Sequence, residues 1–199
     1  MGLEGIRYIQ GDILALDALG KQFDFVNCFG VLHHMKDVLE GWRALTNVLR
    51  AGGTMQIGLY SAIARQAVTR ARNYVEDAGF SPNVESMRAC RQAMIRDQDD
   101  ELISSVVDSC EFYNMSNFRD LAFHYQEHQL TLPEIRDMIE ELGLEFIGFA
   151  LDDLSNAIQY QRMFPQDPNM LSLKFWDQFE HTHPTTFRSC YNLWVRKPG

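Results

Sequence analysis

The sequence predicts an α/β fold in which helices flank a sheet that begins with parallel strands. Phe23–Phe29 (FDFVNCF) is rich in aromatic and branched residues, as a buried strand is. Asp37–Leu49 then repeats apolar residues with the period of a helix lying on a sheet, and Gly52-Gly53 is expected to end that helix. A second strand-like run, Thr54–Tyr60 (TMQIGLY), follows. Because a strand, a helix and a strand with short joints form a right-handed crossover, we expect the two strands to be parallel.

Further elements are predicted on both sides of this crossover. Ile6–Ile9 is a short extended run that ends in Gly11-Asp12, and we predict a strand there. After Ser61 the pattern becomes helical, which predicts an all-helical insertion at about residues 62–129. Its expected helices are Ala62–Ala78, Val84–Asp97, Asp100–Cys110 and Asn117–Tyr125.

The chain beyond the insertion begins with a well-marked helix. Thr131 can cap it, Glu134 three residues later completes a capping box, and Gly143 closes it. A length of 199 residues fits one domain, so residues 1–199 are predicted to form a single domain. The remaining expected elements are strands at Glu145–Leu151 and Cys190–Val195 and helices at Asn156–Phe164 and Asn169–Phe179.

Composition and charge exclude several classes of partner. The net charge of −9 argues against nucleic acid, whose phosphates require a basic surface. No apolar run approaches the roughly 20 residues that a membrane helix needs, so no membrane is expected. The cysteines lie far apart without a CxxC pair, which favours a reducing cytoplasm. Arg65, Arg70 and Arg72 form either a local basic patch or, as we favour, a solvated helix face.

Four segments together resemble the class I S-adenosylmethionine-dependent methyltransferases. Phe23–Met35 (FDFVNCFGVLHHM) is similar to the family's fourth strand and the turn after it, and Leu49–Gly53 (LRAGG) is similar to the LRPGG before its fifth strand. The helix from Thr131 with GLEFIGF resembles the pre-sixth-strand helix and that strand, and Trp194–Pro198 resembles the end of the seventh. The resemblance implies a Rossmann-like sheet with an antiparallel last strand. It also implies S-adenosylmethionine as cofactor and methyl transfer to a small-molecule or protein acceptor.

One family motif is missing from this sequence. The family's first strand leads into a glycine-rich loop that holds the cofactor, and only Gly2 and Gly5 precede the third strand here. We therefore expect an incomplete sheet, truncated at its N-terminus, with only half of a cofactor pocket. With half a pocket, cofactor binding is doubtful, and we expect no activity of this chain alone. The Ile6–Ile9 strand should then pair with the next strand, pair with another molecule, or fray.

The resemblance also implies which residues contact the cofactor. Asp12 would reach the adenine amino group with the Ile13 backbone beside it, although an aspartate after a strand also caps turns. Cys28 and Phe29 would face the methionine portion with their backbone, or simply pack in the core. Of the adjacent histidines, one, assigned as His33, would face the cofactor pocket. Two histidines are too few ligands for a metal, so no metal site is expected.

Acid/base side chains are dense around residues 123–128. His124 or Glu127 is a candidate general base, and Tyr60 at the end of its strand is placed to line the substrate side. Methyl transfer depends mainly on alignment and proximity, so a base is optional. The alternative for the cluster is a polar loop tied by hydrogen bonds.

A second class of function competes with the enzyme. Without the glycine loop, the chain is also consistent with a non-catalytic methyltransferase-like module that forms a homodimer through an exposed sheet edge. The aromatic residues Phe164, Phe175, Trp176 and Phe179 are then either core packing or part of the dimer face.

Overall fold

A computed structural model describes residues 5–97, 99–123 and 127–199 of the chain. In this part of the chain the sheet has five strands: β1 Phe23–Cys28, β2 Leu49–Ser61, β3 Gln129–Leu130, β4 Glu145–Phe149 and β5 Tyr191–Arg196. Their order is β1-β2-β5-β4, with β3 paired to β2. β1 and β3 run parallel to β2, whereas β5 is antiparallel to both β2 and β4. The predicted α/β class with its antiparallel last strand is therefore confirmed.

Helices fill the intervals between the strands. Two short 3-10 helices, Ile13–Leu19 and Leu32–His34, flank β1 in the chain. The α-helices are α1 Val38–Val48, α2 Gln66–Asp77, α3 Val84–Arg96, α4 Glu101–Val107, α5 Cys110–Tyr113, α6 Met115–Phe123, α7 Leu132–Glu141, α8 Leu154–Met163 and α9 Leu173–Thr182.

The β1-α1-β2 crossover forms as predicted, with one correction. The Asp37 side chain caps α1 by accepting a 3.0 Å hydrogen bond from the backbone of Glu40. The prediction that the glycine pair ends α1 is wrong, because β2 already begins at Leu49 and contains both glycines. Gly52 has φ +74° and donates its N–H to the Lys197 carbonyl. Its left-handed backbone lies where the pairing of β1 with β2 shifts register, so the glycine is needed inside the strand.

One face of the sheet carries the main hydrophobic core. Trp42 of α1 and Ile57 of β2 are fully buried there. The aromatic residues near the C-terminus belong to this core: the rings of Tyr160 and Trp176 stack 4.0 Å apart, and Phe179 packs beside them. Core packing is thus confirmed for Trp176 and Phe179.

The helices α2–α6 have a hydrophobic core of their own. Phe112 and Phe118 are fully buried in it, with ring centroids 5.1 Å apart. Further buried members come from all parts of the segment: Ala71, Val75, Met87, Cys90, Met94, Ile103, Val106, Leu121 and Ala122. A helical segment inserted between β2 and β3 can bury its own apolar faces in this way without drawing on the sheet.

The prediction of a strand at Ile6–Ile9 is wrong. Residues 6–12 adopt no regular element, and the side chain of Tyr8 is 87% exposed. A strand is stabilised by backbone hydrogen bonds to a neighbour, and in the described part of the chain β1 is the edge of the sheet and pairs only with β2. Of the outcomes expected for this segment, pairing with the next strand is therefore wrong, and pairing with another molecule stays a prediction.

The capping box is confirmed in detail. The backbone N–H of Thr131 donates to the Glu134 carboxylate at 2.7 Å, and the backbone N–H of Glu134 donates to the Thr131 hydroxyl at 3.4 Å. Helix α7 then covers the sheet with Ile135 and Ile139. No helix in the described residues is long and apolar enough to cross a membrane.

Candidate functional site

The carboxyl ends of β1 and β2 meet at one edge of the sheet, since the strands are parallel and Cys28 pairs with Ile57. Ligands of open α/β sheets bind in the crevice outside such ends. Tyr60 lies at this end of β2, directly before the helices of the insertion. A cavity of about 360 Å³ opens there, and the residues that line it include His34, Tyr60, Arg65, Glu111, Asp120 and Glu127.

Tyr60 is the aromatic residue of this cavity, and two side chains hold its ring. The His33 ring lies 3.9 Å from the Tyr60 ring centroid, and the Arg65 guanidinium lies 3.8 Å from it. Burial raises the pKa of the Tyr60 hydroxyl and outweighs the opposing charge of Arg65. The phenol therefore stays protonated at neutral pH and can donate a hydrogen bond into the cavity.

Glu127 is held by two arginines. Arg65 donates to both carboxylate oxygens at 2.8 and 3.0 Å, and Arg72 donates to Oε2 at 2.8 Å. Burial raises the pKa of the Glu127 carboxyl, but Arg65 and Arg72 together hold it below its usual value. The carboxylate is therefore ionised, and both of its oxygens accept hydrogen bonds. This fits the alternative given for residues 123–128, a polar loop tied by hydrogen bonds. A role as general base stays a prediction.

His33 lies behind Tyr60 and does not line the described cavity. Burial and the neighbouring His34 lower the pKa of His33 to about 4, so its ring is neutral at neutral pH. Its backbone carbonyl accepts a 2.8 Å hydrogen bond from the backbone of His128, which fastens the turn after β1 to the end of the insertion. The other candidate base, His124, lies outside the described residues.

The end of β2 is anchored from the opposite side by a buried carboxyl group. Glu180 of α9 accepts hydrogen bonds from the Ser61 hydroxyl and, at 2.6 Å, from the Tyr191 hydroxyl. Burial raises the pKa of Glu180, and the two hydroxyl donors lower it by less. Ser61 also accepts from the backbone of Ala64, so the same network sets the direction in which the chain enters the insertion.

Asp12 and Ile13 line a separate hollow of about 420 Å³ formed by residues 9–19. One oxygen of Asp12 accepts a 3.0 Å hydrogen bond from the backbone of Leu14 and caps the short helix there. The other lining side chains include Leu16 and Leu19, so the hollow combines an apolar wall with one carboxylate. That chemistry fits a planar base with an exocyclic amino group, as the resemblance implies for adenine.

The residues that end β1 contribute in different ways. The Cys28 thiol is buried in the sheet core, where burial raises its pKa. The Phe29 ring is 48% exposed and lies over Gly58, where an added Cβ would stand 2.8 Å from the ring. The Cys28 side chain thus packs in the core, and contact of the Cys28–Phe29 backbone with a cofactor stays a prediction. Neither residue lines the hollow beside Asp12.

Four charged residues of the site were not singled out as site residues from the sequence. Arg65 and Arg72 are spaced as two helical turns, which places them on one side of the segment, but their partner Glu127 is 55 residues beyond Arg72. Their side chains are 12% and 19% exposed, so they do not form the solvated face that was favoured. Glu111 and Asp120 lack any sequence motif. In the described part of the chain, no group of three or more histidine, cysteine or acidic side chains could hold a metal.

Comparison with known proteins identifies the fold. A family model described as a methyltransferase domain matches residues 2–57. The chain matches the structure of PKMT2 from Rickettsia typhi with a TM-score of 0.64 at 10% identity, over 93% of this chain and 36% of that one. Its complex with AdoHcy matches with a TM-score of 0.61 at 12% identity over the same shares. The resemblance is confirmed: this chain has the fold of a class I S-adenosylmethionine-dependent methyltransferase, and its residues 2–57 match the methyltransferase domain.

Among curated proteins, the chain is similar to the uncharacterized protein syc1184_c of Synechococcus sp. The two are 27% identical over 158 residues, which cover 73% of this chain and 36% of that protein. The chain thus spans little more than a third of the length of the relatives that it matches.

Proposed function

We propose that this chain takes part in S-adenosylmethionine-dependent methyl transfer and supplies the methyl-acceptor side of the reaction. The observation that carries the proposal is the cavity of about 360 Å³ at the carboxyl edge of β1 and β2, between the sheet and the helical insertion. In open α/β sheets this edge is where ligands bind. The family match supports the cofactor, and the solved relative was determined in complex with AdoHcy.

Asp12 and Ile13 would hold the adenine end of the cofactor in their hollow, and the Cys28–Phe29 backbone would face its methionine end. Bound there, S-adenosylmethionine would supply an activated methyl group. The protein's task is then alignment: Tyr60 is fixed by its contacts with His33 and Arg65, and the insertion shields the acceptor from water. We propose that these residues bind the cofactor weakly and that the chain by itself does not turn over.

The test is a titration of the isotope-labelled chain with S-adenosylhomocysteine, followed by backbone NMR. We expect saturable shifts at Asp12, Ile13 and Phe29 with a dissociation constant near 1 mM, which corresponds to roughly −4 kcal/mol. Asp12→Ala should remove the shifts, while the exposed Glu76→Gln should retain them. A folded chain that shows no shift at millimolar ligand would contradict cofactor binding by these residues. Micromolar affinity would instead contradict the weak binding proposed.

The non-catalytic homodimer stays a second proposal because of one observation. β1 is the edge of the described sheet, and its Phe25 is 47% exposed. An open edge beside exposed aromatic side chains supports strand-to-strand pairing between copies. Sedimentation velocity separates the proposals, because self-association lost in Phe23→Lys would favour the module.

The cysteines and the net charge support a proposal for the cellular setting. All four cysteines are free thiols, which supports a reducing, cytoplasmic location. The net charge of −9 supports a partner other than nucleic acid, and neither nucleic acid nor a membrane enters the proposed reaction.

A further inference from the structure

A fully buried carboxyl group lies where the helical insertion joins the sheet. The side chains of Glu180 on α9, Ser61 on β2 and Tyr191 on β5 belong to residues that are each 0% exposed. One carboxyl oxygen of Glu180 accepts a hydrogen bond from the Ser61 hydroxyl, and the other accepts one from the Tyr191 hydroxyl at 2.6 Å. None of the ion pairs among the described residues includes Glu180, so its partners there are hydroxyl groups rather than a cation.

Each protonation state of Glu180 leaves one requirement of this cluster unmet. The ionised carboxylate accepts both hydroxyl protons, but it is a charge removed from water, which is unfavourable without a cation. The protonated carboxyl avoids that charge, but its own proton must point at the oxygen of Ser61 or Tyr191, and that hydroxyl then loses its acceptor. Burial has the larger effect, because the pKa of Glu180 is raised in spite of the two hydroxyl donors.

The cluster lies at the two connections between the insertion and the sheet. The chain leaves the sheet after Ser61 and returns at β3, where Leu130 pairs with Ser61. The backbone N–H of Ala64 donates to the Ser61 hydroxyl oxygen at 2.9 Å, and that of Arg65 donates to the Ser61 carbonyl at 3.1 Å. A displacement of the insertion that breaks these bonds would admit water to Glu180.

We propose that Glu180 forms a proton-controlled hinge with Ser61 and Tyr191, in which ionisation of the carboxyl favours opening of the insertion at the end of β2 and protonation favours the closed arrangement. The hinge would regulate access to the cavity beside Tyr60. This inference goes beyond the proposed function, and it holds whether or not a cofactor or a methyl acceptor binds.

The direction of the pH effect follows from linkage. Burial raises the pKa of Glu180 in the closed arrangement, so that arrangement binds the proton more tightly than an open one in which water reaches the carboxylate. As pH rises above the usual carboxyl value of about 4.3, the closed arrangement loses this advantage. The loss is complete once the pH exceeds the raised pKa, and the open arrangement is then favoured by a constant amount.

Other titratable groups lie on the elements around Glu180. They include Tyr191 on β5, Tyr160 on α8, Arg136 on α7, Arg65 before α2, and Asp177 and His181 on α9 itself. Asp177 raises the pKa of Glu180 and His181 lowers it, each by less than burial does. Burial raises the pKa of Tyr191 and of Tyr160, so both phenols stay protonated at neutral pH. The charge of Arg136 acts on Asp177, and Arg65 is paired with Glu127. Histidine changes its charge between about pH 5 and 8, so His181 is the group for which the test needs a control.

The test measures opening of the hinge by native-state hydrogen exchange between about pH 4 and pH 8, without cofactor or acceptor. The reporting amides are those of Ala62, Ala64 and Arg65, whose acceptors lie on Leu130 and Ser61. After correction for the intrinsic pH dependence of amide exchange, their opening equilibrium constant should rise with pH by at least about threefold. Amides of α1, which lies on the sheet away from the hinge, should change by less.

Two variants connect this pH dependence to Glu180. Glu180→Gln removes the titrating proton and keeps the shape of the side chain, so the opening constant should no longer rise with pH. His181→Gln is the matched control, because it removes the neighbouring titratable group, whose side chain is 64% exposed, and should retain the wild-type rise. The proposal is overturned if Glu180→Gln retains the rise or if His181→Gln abolishes it.

A second measurement needs no substitution and therefore decides the matter even if Glu180→Gln does not fold. The carboxyl ¹³C shift of Glu180 reports its proton directly, and we expect its midpoint above the usual carboxyl range. The opening constant should rise up to that midpoint and level off above it. An opening constant that stays unchanged while Glu180 titrates, or a midpoint within the usual range, would also overturn the proposal. The titration with S-adenosylhomocysteine decides cofactor binding separately.

Discussion

At the scale of single residues, Glu127 connects the candidate cavity to the helical insertion. Its side chain is 2% exposed and pairs with Arg65, just before α2, and with Arg72 within α2. Since Arg65 also lies 3.8 Å from the Tyr60 ring centroid, the carboxylate indirectly holds the ring that lines the cavity. A buried ion pair contributes little net stability when intact, but removing one partner leaves uncompensated charge.

We therefore expect Glu127→Gln to lower the free energy of unfolding by about 3 kcal/mol, because two largely buried arginines lose their counter-charge. Urea denaturation at pH 7 measures this change. The matched control is Glu141→Gln, which breaks an exposed pair with Arg43 and should cost about 0.5 kcal/mol. Equal losses of unfolding free energy in the two variants would show that the buried ion pairs of Glu127 matter no more to stability than an exposed pair.

The pKa of Glu127 predicts the pH dependence of this difference. Its folded-state pKa is depressed, so its stabilising contribution is present above the unfolded pKa of about 4.3 and is lost as pH falls through the folded value. The difference between wild type and Glu127→Gln should thus be constant near neutral pH and shrink below about pH 4. A difference that grows on acidification contradicts the assigned ion pairs.

At the scale of elements, the sequence predicts those that depend on local pattern and misses what depends on distant partners. The β1-α1-β2 crossover and the capping box of α7 are encoded within short stretches, and both form. Ile6–Ile9 has a strand's composition, but within the described ranges no strand pairs with it. The pairing of Arg65 with Glu127 spans 62 residues, a separation that no local pattern reports.

The capping box of α7 can be tested by a single substitution. Thr131→Ala removes the hydroxyl that accepts from the backbone of Glu134, and it should lower the free energy of unfolding by about 1 kcal/mol. Arg136→Ala in the same helix is the control, since that side chain is exposed and should change stability by less than about 0.5 kcal/mol. Chemical denaturation compares the two variants, and a neutral Thr131→Ala would show that the cap contributes nothing.

At the scale of the whole molecule, the described residues form two hydrophobic cores, and the proposed acceptor cavity lies between the end of β2 and the helical insertion. One lies between the sheet and its helices, and the other lies within α2–α6. The Arg65–Glu127 pair closes the base of the insertion, because its two residues stand at the beginning and the end of that segment. A cavity between two separately packed units can open when one of them loosens, which would give the proposed acceptor a route to Tyr60.

This arrangement predicts two units of local stability, measurable by native-state hydrogen exchange. Phe118→Ala removes a fully buried ring from the core of the insertion, which typically costs about 3–5 kcal/mol. Amides of α2 and α6 should then exchange much faster, while those of β2 keep most of their protection. Phe179→Ala, equally buried in the sheet core, is the reciprocal control and should expose β5 and α9 first. If either variant accelerates exchange evenly throughout the chain, the two cores unfold as one unit, and entry of the acceptor must occur without separate loosening of the insertion.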